Sequence, residues 1–281
     1  MQRTVNHGDY EDQKVRFSPD DQILAASGED GTIKLWNNEG NLIQTLNHSD
    51  TVSEKASRNF VDISFSPNGQ ILAASANSTT QLWDLNGNLI QTFHYENQYF
   101  SSSVDFSADG QVIATSANST VSLWDLEGNL MQTLTHKFNI ESPGDNISNI
   151  SFSPDGQTIA TLDSRGIIKI WDINGNMLQS LSSPQEEVNY LSSGLSFSPN
   201  GEVIAASVSV GDINLWDVKT GELIETLKGE LDPANIYDIS FSPNGQNIIS
   251  AGNDRVIKLW NINGIKIKTN QDKSLEGLIK L

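Results

Sequence analysis

Residues 28–46 read GEDGTIKLWNNEGNLIQTL, and close relatives of this stretch recur to the end of the chain. All six tryptophans belong to the recurrence: Trp36, Trp83, Trp124, Trp171, Trp216 and Trp260, separated by 47, 41, 47, 45 and 44 residues. A second marker lies 18 or 19 residues upstream of each: FSPDD at Phe17, FSPNG at Phe65, FSADG at Phe106, FSPDG at Phe152, and FSPNG at Phe197 and Phe241. A fixed internal period of this length identifies an array of one structural unit, here in six copies.

The first copy shows what each does. Residues 15–18 are strand-forming and run into Pro19-Asp20-Asp21, a turn in which Pro presets φ. Strands follow at 23–27, 32–36 and 42–46, separated by turns at Glu29-Asp30-Gly31 and Asn38-Glu39-Gly40. The third strand alternates Ile33 and Leu35 on one face with Lys34 and Trp36 on the other, so both faces of a four-stranded antiparallel sheet are apolar. Such a sheet cannot stand alone. Stacking copies radially covers both faces, which makes the fold class all-β.

Composition narrows the function. No run reaches the roughly eighteen apolar residues of a membrane span, and the opening MQRTVNHGDYED has no apolar signal core. The expectation is a cytoplasmic chain without membrane contact. Zero cysteines exclude disulfides, thiol catalysis and thiolate metal sites. A formal charge of −18 argues against nucleic acid as a partner, because a phosphate backbone is bound by a basic stripe.

The pairs Trp83-Asp84, Trp124-Asp125, Trp171-Asp172 and Trp216-Asp217, ending third strands after GTIKL-like runs, resemble the WD repeats of β-propellers. Trp36 and Trp260 are followed by Asn37 and Asn261 instead. The resemblance covers residues 1–269 and implies a propeller of six four-stranded antiparallel blades, or a fragment of a seven-bladed or longer array. It also implies a hydrogen-bonded tetrad of His, Ser or Thr, Asp and Trp within a blade. Matched residue by residue, the first copy supplies His7, Ser27, Asp30 and Trp36. The second and third keep His48, Ser75, Trp83 and His94, Ser116, Trp124; the fourth keeps His136 and Trp171, the fifth Ser207 and Trp216, and the sixth Asp254 and Trp260. On this matching the network decays along the chain and the first blade resists opening most. All four histidines fall on different blades, which opposes a metal site, whose ligands must converge to about 2.0–2.2 Å. Neither metal nor cofactor is expected.

Length varies mainly between one copy's Trp and the next copy's Phe, in segments 47–59, 135–148 and 182–193 above all. Loops on a rigid scaffold carry recognition. All the connections together, with residues 9–12 before the first copy, hold twelve acids, among them Glu54, Glu141, Glu186, Glu187 and Glu230, against Lys55, Arg58, Lys137 and Lys228. The plain reading is a solvated surface; the sharper one is steering of a cationic partner, with exposed aromatics as anchors. The resemblance places partner-contacting positions at Gln13, Val61, Ser102, Ser148, Ser193 and Tyr237, and at Glu29 and Asn253, with Tyr237 foremost.

No GxSxG, HExxH, P-loop or DxDxDG stretch is present, so the expectation is a non-enzymatic scaffold or sensor platform for protein or peptide partners. The alternative is a propeller hydrolase or lyase with its site at the central channel. Two segments, 1–7 and 264–269, compete to complete the last blade. The tail 270–281 changes period: Leu275, Leu278 and Ile279 suggest a short helix begun at Asp272 or Ser274. A similar Leu-rich segment closes WD-repeat arrays in large bacterial signalling proteins.

Overall fold

A computed structural model describes residues 12–28, 31–47, 60–76, 79–95, 101–136, 146–182, 193–207, 211–229, 235–252 and 257–262. The chain divides into two compact units, Met1–Ser182 and Ser183–Leu281. Unit one contains four sheets. Sheet one is β1 (Asp12–Phe17), β2 (Ile23–Gly28), β3 (Thr32–Asn37) and β4 (Leu42–Asn47). Sheet two is β5 (Phe60–Phe65), β6 (Ile71–Ala76), β7 (Thr79–Asp84) and β8 (Leu89–His94). Sheet three is β9 (Ser101–Phe106), β10 (Val112–Ala117), β11 (Thr120–Asp125) and β12 (Leu130–Thr135). Sheet four is β13 (Ile147–Phe152), β14 (Thr158–Asp163), β15 (Ile168–Asp172) and β16 (Met177–Leu181). Unit two holds sheet five, β17 (Leu195–Phe197), β18 (Val203–Ser207), β19 (Ile213–Asp217) and β20 (Leu223–Leu227), and sheet six, β21 (Ile236–Phe241), β22 (Asn247–Gly252) and β23 (Ile257–Asn261).

Each sheet pairs its strands antiparallel in sequence order, so one repeat makes one blade-like sheet, as expected. Sheet six has three strands among the described residues; the anticipated fourth, 264–269, lies outside them, as do the segment 1–7 and the tail 270–281.

The Phe marker opens a turn that repeats in every sheet. In sheet one the buried Ser18 hydroxyl donates to Asp20 at 2.6 Å and accepts the Ile23 N–H at 2.9 Å. Ser153 does the same with Asp155 and Thr158, and Ser198 with Asn200 and Val203. Opposite the Trp of sheets one to five the register shifts, as between Leu35 and Trp36. The fourth strand carries one extra residue there, a bulge that sharpens local twist.

Neighbouring sheets within a unit meet face to face. Ala25, Ile33 and Leu35 of sheet one form one buried cluster with Ile63, Phe65, Leu72 and Trp83 of sheet two. The same arrangement joins sheet two to three, three to four, and five to six. A second seam runs along the outer strands of unit one. Gln44, Gln91 and Gln132 each extend a side-chain amide to a backbone carbonyl in the next sheet's turn, at Asn86, Glu127 and Asn174 respectively, at 2.5–2.6 Å. That approach explains the turn glycines. At Gly175, φ is +91°, and an added Cβ would stand 2.6 Å from the Gln132 amide nitrogen.

Candidate functional site

The polar half of each Trp-Asp pair closes a turn. Asp84 Oδ1 accepts the N–H groups of Asn86 and Asn88 at 3.0 and 2.8 Å, and Oδ2 accepts the Asn88 side-chain amide at 2.8 Å. These bonds, the side-chain amide foremost, hold the Asp84 carboxyl below its ordinary range. Asp172 repeats the pattern with Asn174 and Asn176. In sheet one Asn37 Oδ1 accepts the N–H groups of Glu39 and Asn41 at 3.0 and 2.9 Å, while the Asn41 side chain turns to Glu39 instead. One oxygen satisfies the backbone, so Asn37 replaces Asp without loss of the turn.

The tryptophans are core. Trp36, Trp83, Trp171 and Trp216 are buried, and among the described residues a tetrad is traced in sheet four. Trp171 Nε1 donates to Thr161 Oγ1 at 3.0 Å, Thr161 Oγ1 meets His136 Nε2 at 2.5 Å, and His136 Nδ1 faces the Asp163 carboxylate at 3.6 Å. Asp163 Oδ1 also accepts the N–H groups of Arg165 and Ile167. The Thr161 hydroxyl also reaches the Lys169 carbonyl at 3.2 Å, so the ring tautomer sets whether Nε2 accepts from Thr161 or donates to it. Burial pushes the His136 pKa down against the pull of Asp163, so the ring is neutral at pH 7.

The sequence matching gives this copy only His136 and Trp171, and the reason it misses the rest is register. The residue that reaches the Trp is the one paired with the position two before it: Thr161 with Lys169, Thr115 with Ser122, Ser250 with Lys258. Trp124 and Trp260 accordingly donate to Thr115 and Ser250, each at 2.8 Å. In the third copy the Trp partner is thus Thr115, not Ser116. Sheets one, two and five carry Ala26, Ala74 and Ala206 at this place. Ser27, Ser75, Ser116 and Ser207 all lie one residue further along, and in a strand one residue is the opposite face. Ser207 uses that face to accept the Gly194 N–H at 2.9 Å and to donate to the Ile236 carbonyl of sheet six at 3.2 Å. Ser27 Oγ is buried without a hydrogen-bond partner among the described residues. His7 and Asp30 lie outside those residues.

A second polar line runs along the first strands of unit one. Asp62 Oδ2 accepts the Ser103 hydroxyl at 2.7 Å and the Val104 N–H at 3.2 Å, and Arg16 approaches its other oxygen at 3.6 Å. Asp105 continues the line: Oδ2 accepts the Phe152 N–H at 2.9 Å, and Oδ1 accepts the Phe106 N–H and the Ser64 hydroxyl. Burial raises the Asp105 carboxyl to about 6, with the neighbouring Asp62 charge adding to the rise. Its oxygens are committed to the adjoining strands, so Asp105 staples sheets together and presents no base to a substrate.

Of the anticipated partner-contacting residues, Tyr237 on β21 is 43% exposed, and its carbonyl accepts the Ser193 hydroxyl at 2.9 Å. The fold therefore brings two of the anticipated residues, from sheets five and six, to one place. Ser148 is half-buried on β13, donating to the Leu162 carbonyl at 3.1 Å. Gln13, Val61 and Ser102 take first-strand positions in β1, β5 and β9, and Glu29 and Asn253 lie outside the described residues. So do the connecting acids, except Asp12 on β1. Of the four bases among them, Lys228 is described, and it pairs with Asp212 at 2.6 Å.

Unit two contains a cleft of about 210 Å³ lined by Pro199, Val203, Leu215, Ile224, Phe241, Pro243 and Ile262, with Ser198, Asn200 and Asn244 as its polar rim. No titratable side chain lines it. Among the described residues no three His, Asp or Glu groups gather as metal ligands, and no helix is long and apolar enough to cross a membrane. A sequence profile described as "WD domain, G-beta repeat" matches residues 13–37, 40–84, 87–125, 129–172 and 221–261. No curated protein matches the chain.

Proposed function

The chain belongs to the WD40 repeat family, whose propellers typically serve as non-catalytic scaffolds for protein interactions, and on that premise we propose a platform for protein or peptide partners. The contact surface in this reading is the rim formed by the sheet-to-sheet connections, with Tyr237 as its anchor. The observation that carries it is the exposure of Tyr237 on a rigid strand, with its backbone carbonyl held by Ser193. Tyr combines a large apolar ring with a polar tip and loses little rotamer freedom on binding, which is why it dominates contact energetics. The acids of the connecting segments favour a cationic partner, attracted from a distance and then docked on the ring.

Affinity capture with the full chain, beside a Tyr237→Ala variant and a rim charge-reversed variant, tests the reading. A captured partner should lose at least about tenfold in affinity with Tyr237→Ala, which at about 1.4 kcal/mol is modest for an aromatic anchor. Equal affinity for both proteins, with folding intact by circular dichroism, rejects Tyr237 as the anchor.

A further inference from the structure

Sheet five departs from the other copies at three exposed positions, each time in the same direction. After the Phe-marker turn the other sheets carry Gln22, Gln70, Gln111, Gln157 and Gln246, and sheet five carries Glu202. The turn after the Trp is closed in sheets one to four by the carbonyls of Asn41, Asn88, Asn129 and Asn176, and in sheet five by that of Glu222. Opposite the residue before the Trp stand Gln44, Gln91, Gln132 and Gln179, and in sheet five Glu225. A carboxylate takes the place of a neutral amide three times in one copy, and Lys219 in the same turn offsets one of them. At the last place the exchange also removes a donor. Gln44, Gln91 and Gln132 are half-buried and give a hydrogen to the next sheet's turn, whereas the Glu225 carboxylate has none to give and is exposed.

These acids flank the cleft of unit two. Glu202 falls between the lining residues Asn200 and Val203, and the Asn200 side-chain amide donates to its carboxylate at 2.8 Å, which holds that charge at the rim. Glu225 follows the lining residue Ile224, and Glu222 precedes it by two. Ile224 is itself a departure. Its equivalents Ile43, Ile90, Met131 and Leu178 are 46–59% exposed, while Ile224 is half-buried and packs on the cluster that contains Val203 and Leu215. The cleft has a volume of about 210 Å³, below the roughly 300 Å³ at which ordinary small-molecule sites begin, so it suits one large apolar side chain better than a free ligand. Its rim hydroxyl is already committed: Ser198 donates to Asn200 within its own turn. What selects the occupant is therefore its fit to an apolar floor and the charge around the mouth.

We propose that this cleft takes one Leu, Ile or Phe side chain of a partner peptide in which the neighbouring residues are Lys or Arg. The apolar side chain is covered by Val203, Leu215, Ile224, Phe241 and Ile262, and the flanking cations meet Glu202, Glu222 and Glu225. Apolar burial supplies the affinity, and the carboxylates supply the choice, since an acidic peptide would meet like charge at the mouth. The contact is separate from Tyr237. That residue is the second of β21, whereas the cleft reaches Phe241 at the other end of the strand.

Titration of the full chain with a capped pentapeptide, Gly-Arg-Leu-Arg-Gly, followed by methyl NMR, tests it, with Gly-Glu-Leu-Glu-Gly and Gly-Arg-Gly-Arg-Gly as controls. The methyl signals of Val203, Leu215, Ile224 and Ile262 should shift saturably, with a dissociation constant of about 1 mM for so short a probe. Both controls should bind at least about tenfold more weakly, one for want of the cations and the other for want of the side chain. A second protein, Glu202→Gln with Glu222→Asn and Glu225→Gln, restores the amides that the other copies carry at exposed positions, so it should fold, as checked by circular dichroism. It should bind the Arg-Leu-Arg probe about tenfold more weakly than the unaltered chain. Absence of saturable shifts at the four residues overturns the proposal. So does equal binding of either control, or an affinity that the triple substitution leaves unchanged.

Discussion

Sheet four and sheet two are built on the same strand pattern and stabilised differently. Behind Trp171 stand Thr161, His136 and Asp163; behind Trp83 the second strand offers Ala74. The second-strand place is taken by Thr161, bonded to Trp171, in sheet four and by Ala74, in one apolar cluster with Trp83, in sheet two. The scaffold thus tolerates either solution, and what differs between copies is which perturbation each can withstand. The sequence matching ranks the first copy as the most resistant; His7 and Asp30 of that copy lie outside the described residues, and among those described the Trp-linked chain runs through sheet four.

Four measurements sharpen or break that contrast. Asp163→Ala leaves the N–H groups of Arg165 and Ile167 without their acceptor and removes the acid behind His136, and should destabilise unit one by about 2–4 kcal/mol in urea unfolding, with the earliest hydrogen exchange in sheet four. A loss below about 1 kcal/mol would mean that the chain behind Trp171 is decoration.

The pH dependence separates sheets three and four by sign. The Asp105 carboxyl is raised from 3.8 to about 6, so its contribution to stability is full below pH about 4 and lost as pH rises through about 6, at most about 3 kcal/mol for two units. His136 is lowered, so its contribution is full above pH about 6.5 and is lost as pH falls from there through the lower folded value. Asp105→Asn should remove the first slope and leave the second, read from unfolding midpoints between pH 4 and 7.5. An unchanged slope in that window would locate the titration elsewhere.

Gly175→Ala should cost about 2 kcal/mol, from a left-handed backbone and the collision with Gln132. Adding Gln132→Ala should return the collision part and leave the backbone part. Additive losses would show that the glutamine seam is loose. The smallest effect belongs to Asn37→Asp, which should stabilise sheet one by about 0.5 kcal/mol by giving Asn41 the second oxygen that Asp84 gives Asn88. A loss would mean that charge at this turn matters more than the bond.

The repeat made most of the fold legible. Trp spacing and the Phe marker located the strands, and the turn residues at 19–21 and 38–40 placed the turns between them. The site was less legible. Ser27 and Ser116 look right by composition, and only pairing partners reveal that Thr115 and Thr161 reach the tryptophans. Asp62 and Asp105 read as ordinary strand acids, and no periodicity marks the first as buried or the second as half-buried between sheets. Asn37 appeared as a departure from the pattern and turned out to keep the turn bonds that matter.

The sequence alone determined how many units there are, where strands and turns fall, and that both faces of every sheet must be covered, because hydrophobic alternation and turn chemistry are local properties. The tertiary structure decided which hydroxyl meets which tryptophan, which carboxyls lose their water, and which apolar faces find a neighbour. Those depend on register and on the next sheet, and a one-residue shift in a strand moves a side chain from one neighbour to the other.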